Sequence, residues 1–176
     1  MTIKVLEKTP GCLPEMIEKG EWIDLTTAEE TSLKGPYSKA LKRKTIRGEV
    51  VERYRDVEFA STLIPLGICM QLPEGYEAYI VPRSSTYKKW GIIQANHIGI
   101  VDSTYCGDND EWKMSVIAMQ KTSIPKGKKI AQFRIQLSQK ATFWQRIKWL
   151  FSSKIKFEMV DSLENPSRGG FGSTGE

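Results

Sequence analysis

Asp102 closes an apolar run, Ile98-Gly99-Ile100-Val101, and Tyr105 follows three residues later. A strand ending there holds the Asp102 carboxylate toward a cleft, where it can orient a water and take its proton. The plainer readings are a turn-forming aspartate and an ordinary strand aromatic. A second group is the tail, Arg168-Gly169-Gly170-Phe171-Gly172-Ser173-Thr174-Gly175-Glu176. Its glycines let several peptide N–H groups converge on phosphate oxygens, while Arg168, Ser173 and Thr174 add donors and Phe171 can cover a flat base. Without a ligand such a segment buries little, so it is expected to order on binding; a frayed terminus is the alternative. Arg83-Ser84-Ser85 forms a third group, with a guanidinium fork and hydroxyls that suit tetrahedral oxyanions. An Arg-Ser pair by itself is commonplace.

These groups need a scaffold, and the chain spells one from short β segments. Residues 63–72 and 76–81 flank Pro73-Glu74-Gly75, a hairpin-like connection. Residues 92–101, 114–119 and 130–137 are further strand candidates, residues 1–8 alternate apolar and polar, and 156–160 reads as a final core strand. Closely spaced short strands predict an all-β sandwich or barrel. Two segments interrupt the pattern. Residues 28–60 are long, polar and basic. In residues 142–151, Phe143, Trp144, Ile147, Leu150 and Phe151 share one face of an amphipathic helix. That face is expected to pack on its own β core or an adjacent subunit, with membrane contact or an outside partner as alternatives.

Apolar residues make up 40% and charged residues 27%, a globular composition for one domain. No apolar run approaches the roughly 20 residues that span a bilayer, and the amino terminus has no signal-peptide core. Cys12, Cys69 and Cys106 form no C-x-x-C pair, which predicts reduced thiols and a cytoplasmic location. The net charge of +5 is concentrated between residues 34 and 55. A charge run of this kind is usually a solvated face, and only Tyr37 and Tyr54 are there to stack on bases, so no stable nucleic-acid partner is expected.

Taken in order, Trp22-Ile23-Asp24-Leu25-Thr26-Thr27-Ala28, Val81-Pro82-Arg83-Ser84-Ser85, Asn96 to Gly107, Lys129-Ile130-Ala131-Gln132-Phe133 and the tail resemble the five motifs of the trimeric dUTPases. The resemblance runs from about Asp24 to Gly175. It implies a jelly-roll-like (β-clip) subunit in a homotrimer, one β domain over residues 1–165 and a flexible arm over 166–176. Insertions are expected near 29–60 and 141–154, the second carrying one short helix. It implies hydrolysis of dUTP to dUMP and pyrophosphate with Mg2+, at sites shared between chains and without membrane attachment. Asp102 matches the general base, and Tyr105 the aromatic that excludes a 2′-hydroxyl. Asn96 and Gly99 match the uracil-binding hairpin, while Arg83, Ser84, Ser85 and Gln132 match phosphate contacts. Arg168, Gly170, Phe171, Gly172, Ser173 and Thr174 match the closing arm, and Asp24 the acidic residue that holds the hydrated metal through water.

Three features depart from the family pattern. Serine stands where glycine is common in Arg83-Ser84-Ser85, the segment Gly107-Asp108-Asn109-Asp110-Glu111-Trp112 is longer than the usual third motif, and Arg168 directly precedes Gly169. His97 stands where the family has an apolar residue and is given no acid–base role. Two rivals remain: a dCTP deaminase-like enzyme of the same fold, and a nucleotide-binding regulator that works through its insertions. The deaminase would need a carboxylate in the strand after the third motif, and residues 114–119 hold none.

Overall fold

A computed structural model describes residues 1–14, 21–151 and 154–170. Strands β1 (Thr2–Glu7), β2 (Ile23–Thr26) and β3 (Thr31–Leu33) lead into an outlying group: β4 (Tyr37–Ser38), β5 (Lys42–Ile46), β6 (Glu49–Tyr54) and β7 (Val57–Glu58). The main body continues with β8 (Ser61–Pro65), β9 (Ile68–Gln71), β10 (Tyr76–Pro82), helix α1 (Thr86–Trp90), β11 (Ile92–Gln94) and β12 (Gly99–Asp102). It closes with β13 (Lys113–Ala118), β14 (Thr122–Ile124), β15 (Lys129–Leu137), helix α2 (Phe143–Phe151) and β16 (Lys156–Met159).

The organising sheet has the order β12-β10-β15-β2. Alternation along β10 and β15 turns Ala78, Ile80, Phe133 and Ile135 into the core, while Glu77, Tyr79, Gln132 and Arg134 face outward. Smaller sheets, β16-β1-β9 and β11-β13-β8, supply further walls around the same core. Trp112 and Phe133 meet edge to face there, with ring centroids 5.2 Å apart. The main-chain bonds from Trp112 N–H to Ile68 O and from Leu66 N–H to Trp112 O tie the third-motif loop to the walls.

Four expectations about the strands of the main body change in the structure. The run 92–101 is two strands, β11 and β12, in different sheets. Asn96, His97 and Ile98 turn the chain between them, with His97 at φ +58°. The run 63–72 likewise divides at Gly67, which has φ +71° and whose Cβ position lies 2.6 Å from Cys12 Sγ. The turn at residues 73–76 therefore passes between sheets rather than closing a hairpin, because β9 pairs with β1 and β10 with β12 and β15. β16 is a mostly exposed edge strand, paired in parallel with β1.

Helix α2 forms, but a different side of it turns inward. Trp149 packs on Tyr76 with centroids 5.6 Å apart, and Gln145 Nε2 donates to Glu74 O, whereas Trp144 is 74% and Leu150 81% exposed. The expected apolar face does not pack on the chain's own core, because the docking point lies on the side that carries Gln145 and Trp149. Residues 29–60 are also more regular than a polar loop: β5 and β6 form an exposed hairpin turned by Arg47 (φ +51°) and Gly48 (φ +86°). A one-turn helix, α1, follows Ser85, so the β subunit carries two short helices among the described residues.

Candidate active site

Asp102 ends β12 on the outward side of the sheet, opposite Glu77 of β10. Its Oδ1 accepts from the Thr104 N–H at 2.8 Å and the Thr104 hydroxyl at 2.5 Å, and Arg168 Nη1 lies 3.0 and 2.9 Å from the two carboxylate oxygens. Partial burial pushes the Asp102 carboxyl upward, but the hydroxyl and N–H of Thr104 and the Arg168 guanidinium outweigh it. The group is held below the ordinary carboxylate range. It is a carboxylate anion in the free protein at neutral pH.

Asp102, Ile100 and Arg168 form a wall common to two cavities. One, about 430 Å³, is also lined by Asn96, Tyr105, Gly169 and Gly170. The other, about 920 Å³, opens toward Glu77, Tyr79 and Lys140. The Tyr105 hydroxyl donates to Glu111 O at 3.0 Å, and burial raises its pKa to about 12, so the ring is a fixed neutral wall. A Cβ on Gly170 would lie 2.9 Å from Tyr105 Cε2, which is why the chain can cross this ring only as glycine. Phe171, Gly172, Ser173 and Thr174 lie outside the described residues.

A second cluster occupies the same outward face at its far end. Gln132 pairs with Val81 on one side and Asp24 on the other. Asp24 is 3% exposed; Arg83 Nε lies 2.9 Å from its Oδ1 and Lys129 Nζ 3.5 Å from its Oδ2. Ser84 and Ser85 lead from Arg83 into α1, with Ser84 exposed. Along β10 the Asp102 row and the Gln132 row are four residues apart, about 13 Å, and β12 and β2 are three strand spacings apart, about 14 Å. One chain thus gathers Asn96, Asp102, Tyr105, Arg168 and Gly170 around one cavity and Asp24, Arg83, Ser84, Ser85 and Gln132 at another place, while Gly99, opposite Ile80, lies between the two rows.

Asp24 Oδ2 is buried with no hydrogen-bond donor, and among the described residues no group of three acidic, histidine or cysteine side chains is gathered for a metal. A lone carboxylate between two cations suits a metal held mainly by phosphates and water, with a metal-bound water donating to Oδ2 beside Lys129.

The long third-motif loop has a structural purpose that its residue types alone do not disclose. Asp110, 1% exposed, accepts from the N–H groups of Gly107 at 2.9 Å, Arg168 at 2.9 Å and Gly169 at 3.3 Å. Asp108 accepts from the Ser162 hydroxyl and the Leu163 N–H, both at 2.7 Å. The root of the tail is therefore clamped by residues 107–110, which sets Arg168 over Asp102. Asp108-Asn109-Asp110 reads locally as a turn; its partners lie more than 50 positions later. Asp110→Asn replaces an acceptor oxygen by a donor and is expected to cost about 1–3 kcal/mol. Trypsin should then cut after Arg168 faster, relative to its cuts in the exposed 42–54 hairpin, as read by mass spectrometry. An unchanged ratio would show that the clamp does not hold the tail.

The dUTPase family model matches residues 51–175. The chain belongs to the dUTPase family. A prophage-derived deoxyuridine 5′-triphosphate nucleotidohydrolase of Bacillus subtilis is 40% identical over 173 residues, covering 98% of this chain and 96% of the relative. The dUTPase of Streptococcus mutans aligns at a TM-score of 0.59 with 19% identity, over 78% of this chain and 95% of that one. A mutant dUTPase from phage phi11 of S. aureus, whose structure shows the coordination of a structural Mg(II) ion, aligns at a TM-score of 0.56 with 16% identity, over 80% and 94%. The fold of these dUTPases is the one built here around the β12-β10-β15-β2 sheet.

Proposed function

We propose that the protein hydrolyses dUTP to dUMP and pyrophosphate, with Asp102 as the general base. The observation that carries this reading is the ionised Asp102 carboxylate in the wall between two cavities. A water held by Asp102 gives its proton to the carboxylate as its oxygen bonds to the α-phosphorus. The bond from the α-phosphorus to the bridging oxygen breaks, and pyrophosphate leaves with the electron pair. The turn from Asn96 to Gly99 receives the base, and Tyr105 lies against the deoxyribose, where a 2′-hydroxyl would collide with the ring. Arg83, Ser84, Ser85 and Gln132 bind phosphate oxygens. Arg168, released from Asp102, turns with Gly170, Phe171, Gly172, Ser173 and Thr174 onto the bound triphosphate.

Magnesium, when bound, supplies positive charge to the phosphate oxygens, and Asp24 would hold it through a coordinated water. The separation of the two residue clusters within one chain supports a homotrimer in which a site takes Asp102 from one subunit and Arg83 and Gln132 from another. Three free cysteines suit a reducing cytoplasm. Among the described residues no helix is long and apolar enough to cross a membrane.

The deaminase alternative is disfavoured by Glu111, whose Oε1 is already engaged by the Gly67 N–H at 2.9 Å. Pyrophosphate and ammonia release from dUTP, dCTP, dTTP and UTP, with magnesium present, tests the reading. Pyrophosphate from dUTP alone is expected; ammonia from dCTP, or turnover of all four, would overturn it.

A further inference from the structure

Gln94 ends β11 at the start of the Asn96 turn and is 8% exposed. Its Nε2 lies 3.1 Å from Ile80 O and 3.1 Å from Asn96 Oδ1. Ile80 O is a main-chain carbonyl and can only accept, so the amide nitrogen of Gln94 must face it. Because the same NH2 group reaches the Asn96 side chain, the Asn96 atom it meets must also accept and is the oxygen. The amide nitrogen of Asn96 is thereby turned away from Gln94. Gln94 Oε1 is buried without a hydrogen-bond partner, so the two acceptors alone orient this amide. Gly99 leaves room for it: a Cβ there would lie 3.3 Å from Ile80 Cβ and 3.5 Å from Gln94 Nε2.

Asn96 lines the cavity that also contains Asp102 and Tyr105. We propose that Gln94 is a positioning residue that sets base specificity, by locking the Asn96 amide with its N–H groups toward the base so that position 4 must carry an acceptor. The 4-carbonyl of uracil accepts from such a donor. The 4-amino group of cytosine faces it donor to donor and leaves both groups unpaired, the kind of mismatch that a polar site rejects strongly. Thymine has the same 4-carbonyl as uracil, so this device does not act on it. The proposal rests on the reading that the turn at Asn96 holds the base.

The test compares kcat/KM for dUTP, dCTP and dTTP in the wild-type enzyme, Gln94→Met and Asn96→Asp, with a melting curve for each. Gln94→Met keeps the volume but frees the Asn96 amide to rotate. The dCTP-to-dUTP ratio should rise by about 10-fold or more while the dTTP-to-dUTP ratio stays put. Should Gln94→Met fail to fold, Asn96→Asp decides, because that side chain is exposed and its loss does not threaten the core. One carboxylate oxygen accepts from Gln94 and the other faces the base, so the dCTP-to-dUTP ratio should again rise by about 10-fold or more. An unchanged dCTP-to-dUTP ratio in a folded variant, or a parallel rise for dCTP and dTTP, overturns the assignment. A wild-type protein that releases no pyrophosphate from dUTP would instead defeat the functional reading beneath it.

Discussion

Asp102→Asn should bind dUTP nearly as well as the wild type while kcat falls by about 100-fold or more, since the amide keeps size and polarity but cannot take a proton from water. Single-turnover pyrophosphate release, beside binding of a non-hydrolysable dUTP analogue, separates the two quantities. Activity within a few-fold of wild type would remove Asp102 from the chemistry. The carboxylate is held below its ordinary range in the free protein, so its base form persists as the pH falls, and kcat/KM should decline only in the more acidic range where it finally protonates. Arg168 is one of the groups that hold it down, through contacts of 3.0 and 2.9 Å. Arg168→Ala should therefore shift the acid limb of kcat/KM to higher pH, in addition to any loss of phosphate binding. An acid limb unmoved in that variant would mean that the pair seen in the free chain does not govern the base.

Much of the scaffold is legible because burial on one face writes itself into alternation. In β15, Phe133 and Ile135 point inward while Gln132 and Arg134 point outward, so the strand and the outward side of Gln132 both follow from residue types. The run 92–101 fails for the opposite reason: Ile92 and Val101 are both buried, yet in two sheets, and composition cannot show that the walls differ. Helix α2 has the expected length, but periodicity ranks apolar residues without knowing what they meet. Tyr76 offers a ring to Trp149 and Glu74 a carbonyl to Gln145, so the side of the helix that docks is not the stripe containing Trp144 and Leu150. Motif order singles out Asp102 and Tyr105 as candidates, whereas Asp110 and Gln94 make their contacts with groups far along the chain or in a neighbouring sheet. Their roles are visible only as donors and acceptors in space. The same holds for Asp24 and Arg83, joined across 59 positions at the end of the sheet remote from Asp102.

That remoteness makes mixed assemblies informative. If a site takes Asp102 from one subunit and Arg83 from the next, Asp102→Asn and Arg83→Gln chains should each be nearly inactive alone and regain activity when unfolded together and refolded. Arg83→Gln suits the experiment because a neutral donor still reaches the buried Asp24 carboxylate, beside Lys129, so the fold is spared the loss of both partners. In a cyclic trimer, every mixed combination contains one junction at which the Asp102 of one chain meets the Arg83 of its neighbour, both intact. Random assembly of equal amounts leaves three quarters of trimers mixed, each with one working site of three, so recovery should approach about a quarter of wild-type activity per chain. Asp102 and Asp24, the carboxylate that Arg83 grips, lie about 13 Å apart along the strands and about 14 Å apart across them, and a triphosphate cannot draw them together inside one folded sheet. A site completed within one chain would give no recovery on mixing, because every chain carries a lesion. Size-exclusion chromatography of the mixture decides whether a failure reflects chemistry or assembly: a trimeric but inactive mixture would show that the site is not shared in this way.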